Sequence, residues 1–378
     1  MNRLIYLDNA ATTYPKPESV YTAIDFANRN LAFNAGRGSY KEARTVAELI
    51  QSTREKLASL VKGANSSMVS FESSATEALN IIINGIDFKE GDTVYISPFE
   101  HNAVVRPLYN LKDRIGINIE VLPFNQTTWE YDENKANDMF LMKKPAACFL
   151  THISNVSGYI LPFGVIFAQT KKYNCINILD CSQSLGVLNP TITNTDFIVF
   201  AGHKSLYATF GAAGFINTGN IKLSVTKSGG TGSDSLNPYM PETGNLRYEA
   251  GSINSVAIAG LNASVDWVSE TPILNHELEL TEYLIEGLTK CDNVLLFVPP
   301  EGKRVGIVSF AIPNYSAEDI GSILSEEFGI CVRTGYHCCP FIHTFIGSKL
   351  YGGTVRVSLS WFTKKDELDS LINAIKTF

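Results

Sequence analysis

Lys204 stands just beyond an apolar run, Phe197-Ile198-Val199-Phe200, and is reached through Ala201-Gly202-His203. Upstream, the run Ile176-Asn177-Ile178-Leu179 ends in Asp180-Cys181-Ser182-Gln183. Short apolar runs of this kind read as buried parallel strands, so a strand end delivers each of an amine and a carboxylate. These are the two groups a pyridoxal phosphate enzyme needs: the amine forms a Schiff base, and the carboxylate keeps the pyridine nitrogen protonated so that the ring accepts electrons. Gln183 is spaced to reach the ring oxygen. A surface lysine and a helix-capping aspartate are the commoner meanings of either residue alone; together they favour the chemical one.

A phosphate needs backbone donors at a helix start, plus hydroxyls or a cation. Ser74-Ala75-Thr76 offers such a start, with Glu77 next as a helix former, and His203 and Ser252 could add side-chain donors. Plain N-capping accounts for Ser74 and Thr76 equally well. His101 follows the turn Ser97-Pro98-Phe99, where an imidazole could stack on a pyridoxal ring and move protons near neutral pH. A structural histidine in a turn is the plainer alternative. Of seven cysteines, an odd number that argues against a disulfide framework, Cys148 and Cys331 sit in apolar runs. Only the adjacent pair Cys338-Cys339 asks for a separate explanation.

The elements that must position these groups alternate along the chain. Helical patterns cover Pro17–Leu31, Tyr40–Lys62, Thr76–Asn84, Ala103–Leu111, Val165–Lys172 and Ser255–Glu270. Strand patterns cover Thr93–Ile96, Ile119–Leu122, Ala147–Leu150, Ile176–Leu179 and Phe197–Phe200. Such alternation implies βαβ units, with ligands at the carboxyl ends of a largely parallel sheet. Ser228–Ser235 is a Gly/Ser-rich loop. From Pro272 a helix, a strand Gly306–Ala311, a helix Ala317–Phe328, strands Cys331–Arg333 and Thr354–Ser358, and a last helix Lys365–Phe378 make a second, α+β unit.

At 378 residues two domains are the default. Hydrophobic residues at 45% and charged residues at 18% describe an ordinary globular protein. The net charge of −7 gives no basic footprint for nucleic acid. No apolar stretch reaches membrane-spanning length, and the opening Met1–Asp8 has no signal-peptide hydrophobic region, so a cytoplasmic protein is expected.

The chain resembles the class V aminotransferase-like pyridoxal phosphate enzymes, and within them the cysteine desulfurases and selenocysteine lyases. Matching segments run through the chain in family order. They are Tyr6-Leu7-Asp8-Asn9-Ala10-Ala11-Thr12-Thr13, Ser74-Ala75-Thr76-Glu77, Glu100-His101-Asn102-Ala103, His152 to Gly158, Asp180 to Gln183 and Gly202-His203-Lys204, then Tyr248 to Ser252, Arg333 to Cys338 and Val355-Arg356-Val357-Ser358. The resemblance implies an α/β protein of fold type I: a large domain (residues 16–262) with a mostly parallel seven-stranded sheet, and a smaller α+β domain (residues 1–15 and 263–378) carrying a catalytic cysteine loop.

It further implies pyridoxal 5'-phosphate bound by Ala75, Thr76, His101, Asn155, Asp180, Gln183, His203, Lys204 and a Ser252 from the neighbouring subunit of a homodimer with shared active sites. Lys204, His101 and Cys338 would be catalytic, Cys338 as a sulfur-accepting nucleophile on a mobile loop, where His337 and local positive charge would favour the thiolate. Asn155 and Arg356 would bind the substrate, L-cysteine or selenocysteine, and the sulfur would leave to an acceptor protein or a small thiol. Four positions depart from the family pattern. Ala201 lacks a phosphate-binding hydroxyl, Ser252 replaces threonine, Ser205–Gly211 lacks a Gly-Pro, and Cys339 stands where many members have alanine.

Cys339 has three readings: a passive small residue, a second persulfide carrier or resolving thiol, or, with His337, Cys338 and His343, part of a metal site. An adjacent cysteine pair suits tetrahedral zinc poorly, so no metal is expected. The expected activity is that of a cysteine desulfurase. The alternatives are a selenocysteine lyase, C–S β-lyase, transaminase or epimerase without persulfide chemistry, or a silent scaffold.

Overall fold

The computed structural model describes residues 4–35, 40–233 and 235–378, so Asp234 of the Gly/Ser-rich loop lies outside the described residues. A short strand β1 (Ile5–Tyr6) precedes two helices, α1 (Glu18–Asn30) and α2 (Lys41–Ser59). Seven strands then form the main sheet: β2 (Val69–Glu72), β3 (Thr93–Ile96), β4 (Asn118–Val121), β5 (Pro145–Thr151), β6 (Ile176–Asp180), β7 (Phe197–Ala201) and β8 (Ala213–Asn217). Their order is β2-β8-β7-β6-β5-β3-β4. Only β8 runs against its neighbours, so β2 points the same way as the five parallel strands. This is the α/β architecture of a fold type I transferase, a mostly parallel seven-stranded sheet with a smaller second unit.

Every residue of β7 is buried, as a strand covered by helices on both faces requires. Two apolar clusters flank the sheet. One includes Tyr95, Leu150, Leu179, Ile198 and Phe200, the other Val94, Phe149, Ile178, Phe197 and Val199. The alternation of these names along β5, β6 and β7 is the period-2 pleat. Two helices that brace the strand ends are α3 (Ala75–Gly85) and α4 (Asn102–Ile115). α4 ends at Gly116, whose φ of +87° closes the helix with an N–H donated to Lys112 O.

A four-stranded antiparallel sheet, in the order β12-β13-β10-β9, makes the second unit: β9 (Leu295–Leu296), β10 (Ile307–Ala311), β12 (Arg333–Gly335) and β13 (Thr354–Ser358). β11 (Ile330–Cys331) pairs instead with β1. The single strand expected at Cys331–Arg333 is therefore two, with different partners on either side of Val332. A third apolar cluster joins Ile5 and Leu7 to Val308, Phe310, Val355 and Val357, so both chain ends build one core. No helix among the described residues is long and apolar enough to cross a membrane.

β2, β8 and a helix at Glu133–Met142 were not anticipated from the sequence. In β8, Gly214 is required by packing: a Cβ there would meet Ser70 O of β2 at 2.0 Å.

Candidate active site

Five strand ends converge on one edge of the main sheet. β2 leads into Ser74 and α3, β3 into His101 and α4, β5 into His152–Asn155, β6 into Asp180–Gln183, and β7 into His203-Lys204. Parallel pairing puts all five at carboxyl ends, where the crevice of an open α/β sheet lies.

Among the described residues the Lys204 ammonium makes neither a hydrogen bond nor an ion pair. Burial lowers its pKa, with Asp180 pulling the other way and Arg356 adding to the lowering. Cys338 and Cys339 also act on it. Asp180 is buried, and Ser182 fixes its Oδ1 through N–H (2.9 Å) and Oγ (2.6 Å), leaving Oδ2 without a donor among the described residues. The loop after Lys204, which lacks the expected Gly-Pro, closes through Tyr207 at φ +57° and an Ala208 N–H donated to Gly202 O at 2.8 Å.

His101 caps α4, its Nδ1 accepting from Ala103 N–H at 3.0 Å. The neutral ring therefore carries its proton on Nε2. Burial, then the Lys204 charge, brings its pKa down to about 4. His203 stacks on Phe210 with centroids 4.4 Å apart, and its buried Nδ1 has no partner among the described residues. Thr12 Oγ1 (2.9 Å) and Lys16 Nζ (3.0 Å) donate to His203 O, and burial lowers Lys16 to about 7.

The second unit contributes Arg356 from the middle of β13. Its Nη1 donates to Asn155 O at 2.9 Å and its Nη2 to Asp8 Oδ1 at 2.5 Å, while the buried Nε is unpartnered among the described residues. Cys338 is exposed in the turn after β12. That turn is fastened rather than loose: Asn155 Nδ2 donates to His337 O (3.0 Å), Asn102 N–H to Cys338 O (2.7 Å), and Cys339 N–H to Tyr336 O (3.0 Å). His337 supplies no positive charge to the thiol. Its ring is buried against Thr354, and desolvation holds its pKa well below the usual imidazole range.

Other expected residues sit less simply. Gln183 uses one amide N–H on Ala10 O at 2.8 Å. Ala75 and Thr76 lie at the start of α3, where Ser74 Oγ caps Glu77 N–H at 3.1 Å; the Thr76 hydroxyl is exposed. Ala201, buried at the end of β7, offers only a methyl group. Ser252 lies beside Asn34 on a recess of about 660 Å³ lined in part by Arg54 and Gly230–Gly232, and shares a second of about 300 Å³ with Glu72, Ser73 and Glu77 at the end of β2. Among the described residues no set of three or more His, Cys, Asp or Glu side chains is arranged around a metal position.

Sequence reasoning passed over Asp8 as the partner of Arg356, and Glu100 as a brace. Glu100 Oε1 accepts from Ser97 Oγ (2.5 Å) and Thr151 N–H (2.9 Å), tying the ends of β3 and β5. Burial pushes its carboxyl up to about 8, and Oε2 is unpartnered among the described residues. The signal available was its place directly before His101.

The profile of the Aminotransferase class-V family matches residues 5–371. The chain is 29% identical to a probable cysteine desulfurase of Methanothermobacter thermautotrophicus, over 97% of this chain and 92% of the relative. It is 28% identical to a cysteine desulfurase of Pectobacterium atrosepticum, over 99% and 92%. Among solved structures, the apo cysteine desulfurase of Thermococcus onnurineus superposes with a TM-score of 0.90 at 25% identity, covering 99% of this chain and 94% of the other. The cysteine desulfurase CsdA of Escherichia coli, in its S-sulfonic acid form, shares the fold, with a TM-score of 0.87 at 22% identity over 99% and 94%. A match that begins in β1 and runs into the last helix leaves no part of either sheet outside it: the chain belongs to the class-V aminotransferase family.

Proposed function

We propose that the protein is a pyridoxal 5'-phosphate-dependent cysteine desulfurase, converting L-cysteine to L-alanine and transferring the sulfur to Cys338 as a persulfide. The observation that carries this reading is the environment of Lys204. A half-buried amine with a lowered pKa and no hydrogen-bonding partner among the described residues lies under the influence of Asp180, Arg356 and the Cys338 thiol. Perturbed groups of this kind cluster where chemistry is done.

The residues fit the cofactor. Among the described residues His203 Nδ1 and Arg356 Nε are buried polar atoms without partners, which suits a site for anionic groups. His203, the α3 start at Ala75-Thr76 and Ser252 of the partner subunit would hold the phosphate. Asp180 would keep the ring nitrogen protonated, Gln183 and Asn155 would face the ring oxygen, and His101 would cover the ring. When bound, the cofactor supplies an electron sink for charge at the substrate Cα.

Arg356 and Asn155 would orient the substrate carboxylate, a task suited to a planar guanidinium. Lys204 would move the Cα proton once its amine is free, which its lowered pKa favours. Cys338 would attack the substrate sulfur: an S–S bond forms, the substrate C–S bond breaks, and the departing electron pair takes up protons to leave alanine. The outer sulfur would then pass to an acceptor protein or a small thiol, and selenocysteine presents a C–Se bond at the same position.

The fastened turn around Cys338 favours a second reading, a class-V enzyme such as a selenocysteine lyase, β-lyase, transaminase or epimerase that passes no sulfur through this residue. One assay separates them. Purified protein with L-cysteine and a reductant should yield alanine and sulfide in equal amounts, and Cys338→Ser should lose both yet keep the cofactor absorbance. Undiminished sulfide in that variant, or pyruvate and ammonia as products, would reject the desulfurase.

A further inference from the structure

Two adjacent cysteines face opposite surroundings. His337 (φ +48°) and Cys338 (φ +58°) are consecutive left-handed residues, and the reversal they impose leaves Cys338 exposed and Cys339 only 1% exposed. The Cys339 thiol donates to Asn155 Oδ1, with sulfur and oxygen 2.8 Å apart, and lies 3.9 Å from Phe99 O. The other end of the same carboxamide donates to His337 O at 3.0 Å. The backbone carbonyl of Asn155 accepts from Arg356 Nη1 at 2.9 Å. One asparagine thus joins the guanidinium on β13 to the turn that presents Cys338, and its carboxamide is held at both ends, by His337 O and by the donor at position 339.

We infer that Cys339 is a positioning residue: its thiol orients the Asn155 carboxamide and so holds the Cys338 nucleophile in register with Arg356. This rests on the desulfurase reading for its kinetic consequence. Burial raises the Cys339 pKa, so the group remains a protonated donor and not a second nucleophile. An alanine there donates nothing. Asn155 Oδ1 would then be a buried acceptor without its donor, and the carboxamide would be held only through Nδ2 on His337 O.

The test compares Cys339→Ala with Cys339→Ser in the holoenzyme. Alanine should lower kcat for L-alanine formation by about tenfold, since small misplacements of reacting groups are costly. KM should change by no more than about twofold, because Arg356 keeps both of its partners, and the cofactor absorbance should hold, because Lys204 itself is unaltered. Serine, which restores an O–H donor, should recover kcat to within about twofold of the native protein. After one turnover without reductant, peptide mass mapping should find the added sulfur on Cys338. Equal kcat values for the two variants, or added sulfur on Cys339 before Cys338, would overturn the inference.

A second measurement stands apart from turnover. Iodoacetamide should label Cys338 quickly and Cys339 slowly in the native protein, with Cys339 labelled several times faster in Asn155→Ala. Absence of L-cysteine turnover with this protection intact would reject the desulfurase alone. Turnover with Cys339 labelled as fast as Cys338 would reject the Asn155 link alone.

Discussion

Arg356 Nη2 donates to Asp8 Oδ1 at 2.5 Å across 348 residues of chain. Asp8 bridges to Ser358 beside β13, so the carboxylate is held in place by the sheet that carries the guanidinium. Removing it leaves a nearly buried arginine with one fewer partner and free to turn. Asp8→Ala should raise KM for L-cysteine by about tenfold, with a smaller change in kcat, because the lost interaction orients a binding group. Steady-state kinetics on cofactor-saturated protein decide the point; an unchanged KM would show that Asp8 does not set the guanidinium angle.

Among the described residues Lys204 has no hydrogen bond or ion pair to lose, only the charge of Asp180 acting on it, so its replacement chiefly tests chemistry. Lys204→Ala should abolish the protein's visible cofactor band and lower alanine formation by roughly a thousandfold or more, as for removal of a covalent-catalysis group. Borohydride reduction of the native protein should add the cofactor mass to the peptide containing residue 204. Addition to any other lysine would contradict the assignment.

Glu277 gives a prediction in pH. It is buried against Tyr207, and burial pushes its carboxyl from 4.5 up to about 8. The folded protein therefore holds a proton that the unfolded chain releases. The stability from this group is complete below 4.5 and declines as pH rises through the window to about 8, by up to roughly 1.4 kcal/mol per pH unit. Glu100 acts in the same direction. His101 and His152, lowered to about 4, act oppositely: their contribution is present above the ordinary value of 6.5 and is lost as pH falls toward 4. Glu277→Gln should flatten the alkaline decline of the thermal midpoint and leave the acid limb alone. A parallel decline in both proteins would assign it elsewhere.

Arg54 of α2 and Glu249 form a bidentate pair, 2.7 and 2.6 Å, and Glu249 Oε1 also accepts Phe71 N–H at 2.7 Å. Both side chains are nearly inaccessible. Glu249→Ala strands a buried cation, and the expected loss is about 3 kcal/mol, read as a lower denaturant midpoint at constant slope. Since Glu249 anchors the segment that ends at Ser252, cofactor affinity should fall with it. A midpoint shift too small to measure would mean that water replaces the carboxylate.

The apolar runs at Phe197–Phe200 and Ile176–Leu179 were legible because both faces of a parallel strand are dry, and with them Lys204 and Asp180 at the strand ends. β8 was not, because its sequence, Ala213-Gly214-Phe215-Ile216-Asn217, places a glycine where β2 approaches, and local pattern cannot announce a neighbour. The helix at Glu133–Met142 mixes polar and apolar residues with only Ala136 and Phe140 buried, too few to set a period. Cys338 and Arg356 came from resemblance to the family, since neither lies at an end of the main sheet. The Asp8–Arg356 and Cys339–Asn155 contacts, 348 and 184 residues apart in sequence, exist only once both units are folded.

The amino-terminal strap has a consequence for how the chain is made. Ile5 pairs with Ile330, Asp8 bridges Ser358, and Thr12 and Lys16 grip His203 O. Ile5 and Asp8 are made well before the strands that hold them, whereas His203 follows directly from the main sheet. The seven-stranded sheet can form before β11 and β13 are translated, with the front of the strap still undocked, so the lysine crevice takes its final shape only when the second unit folds onto it.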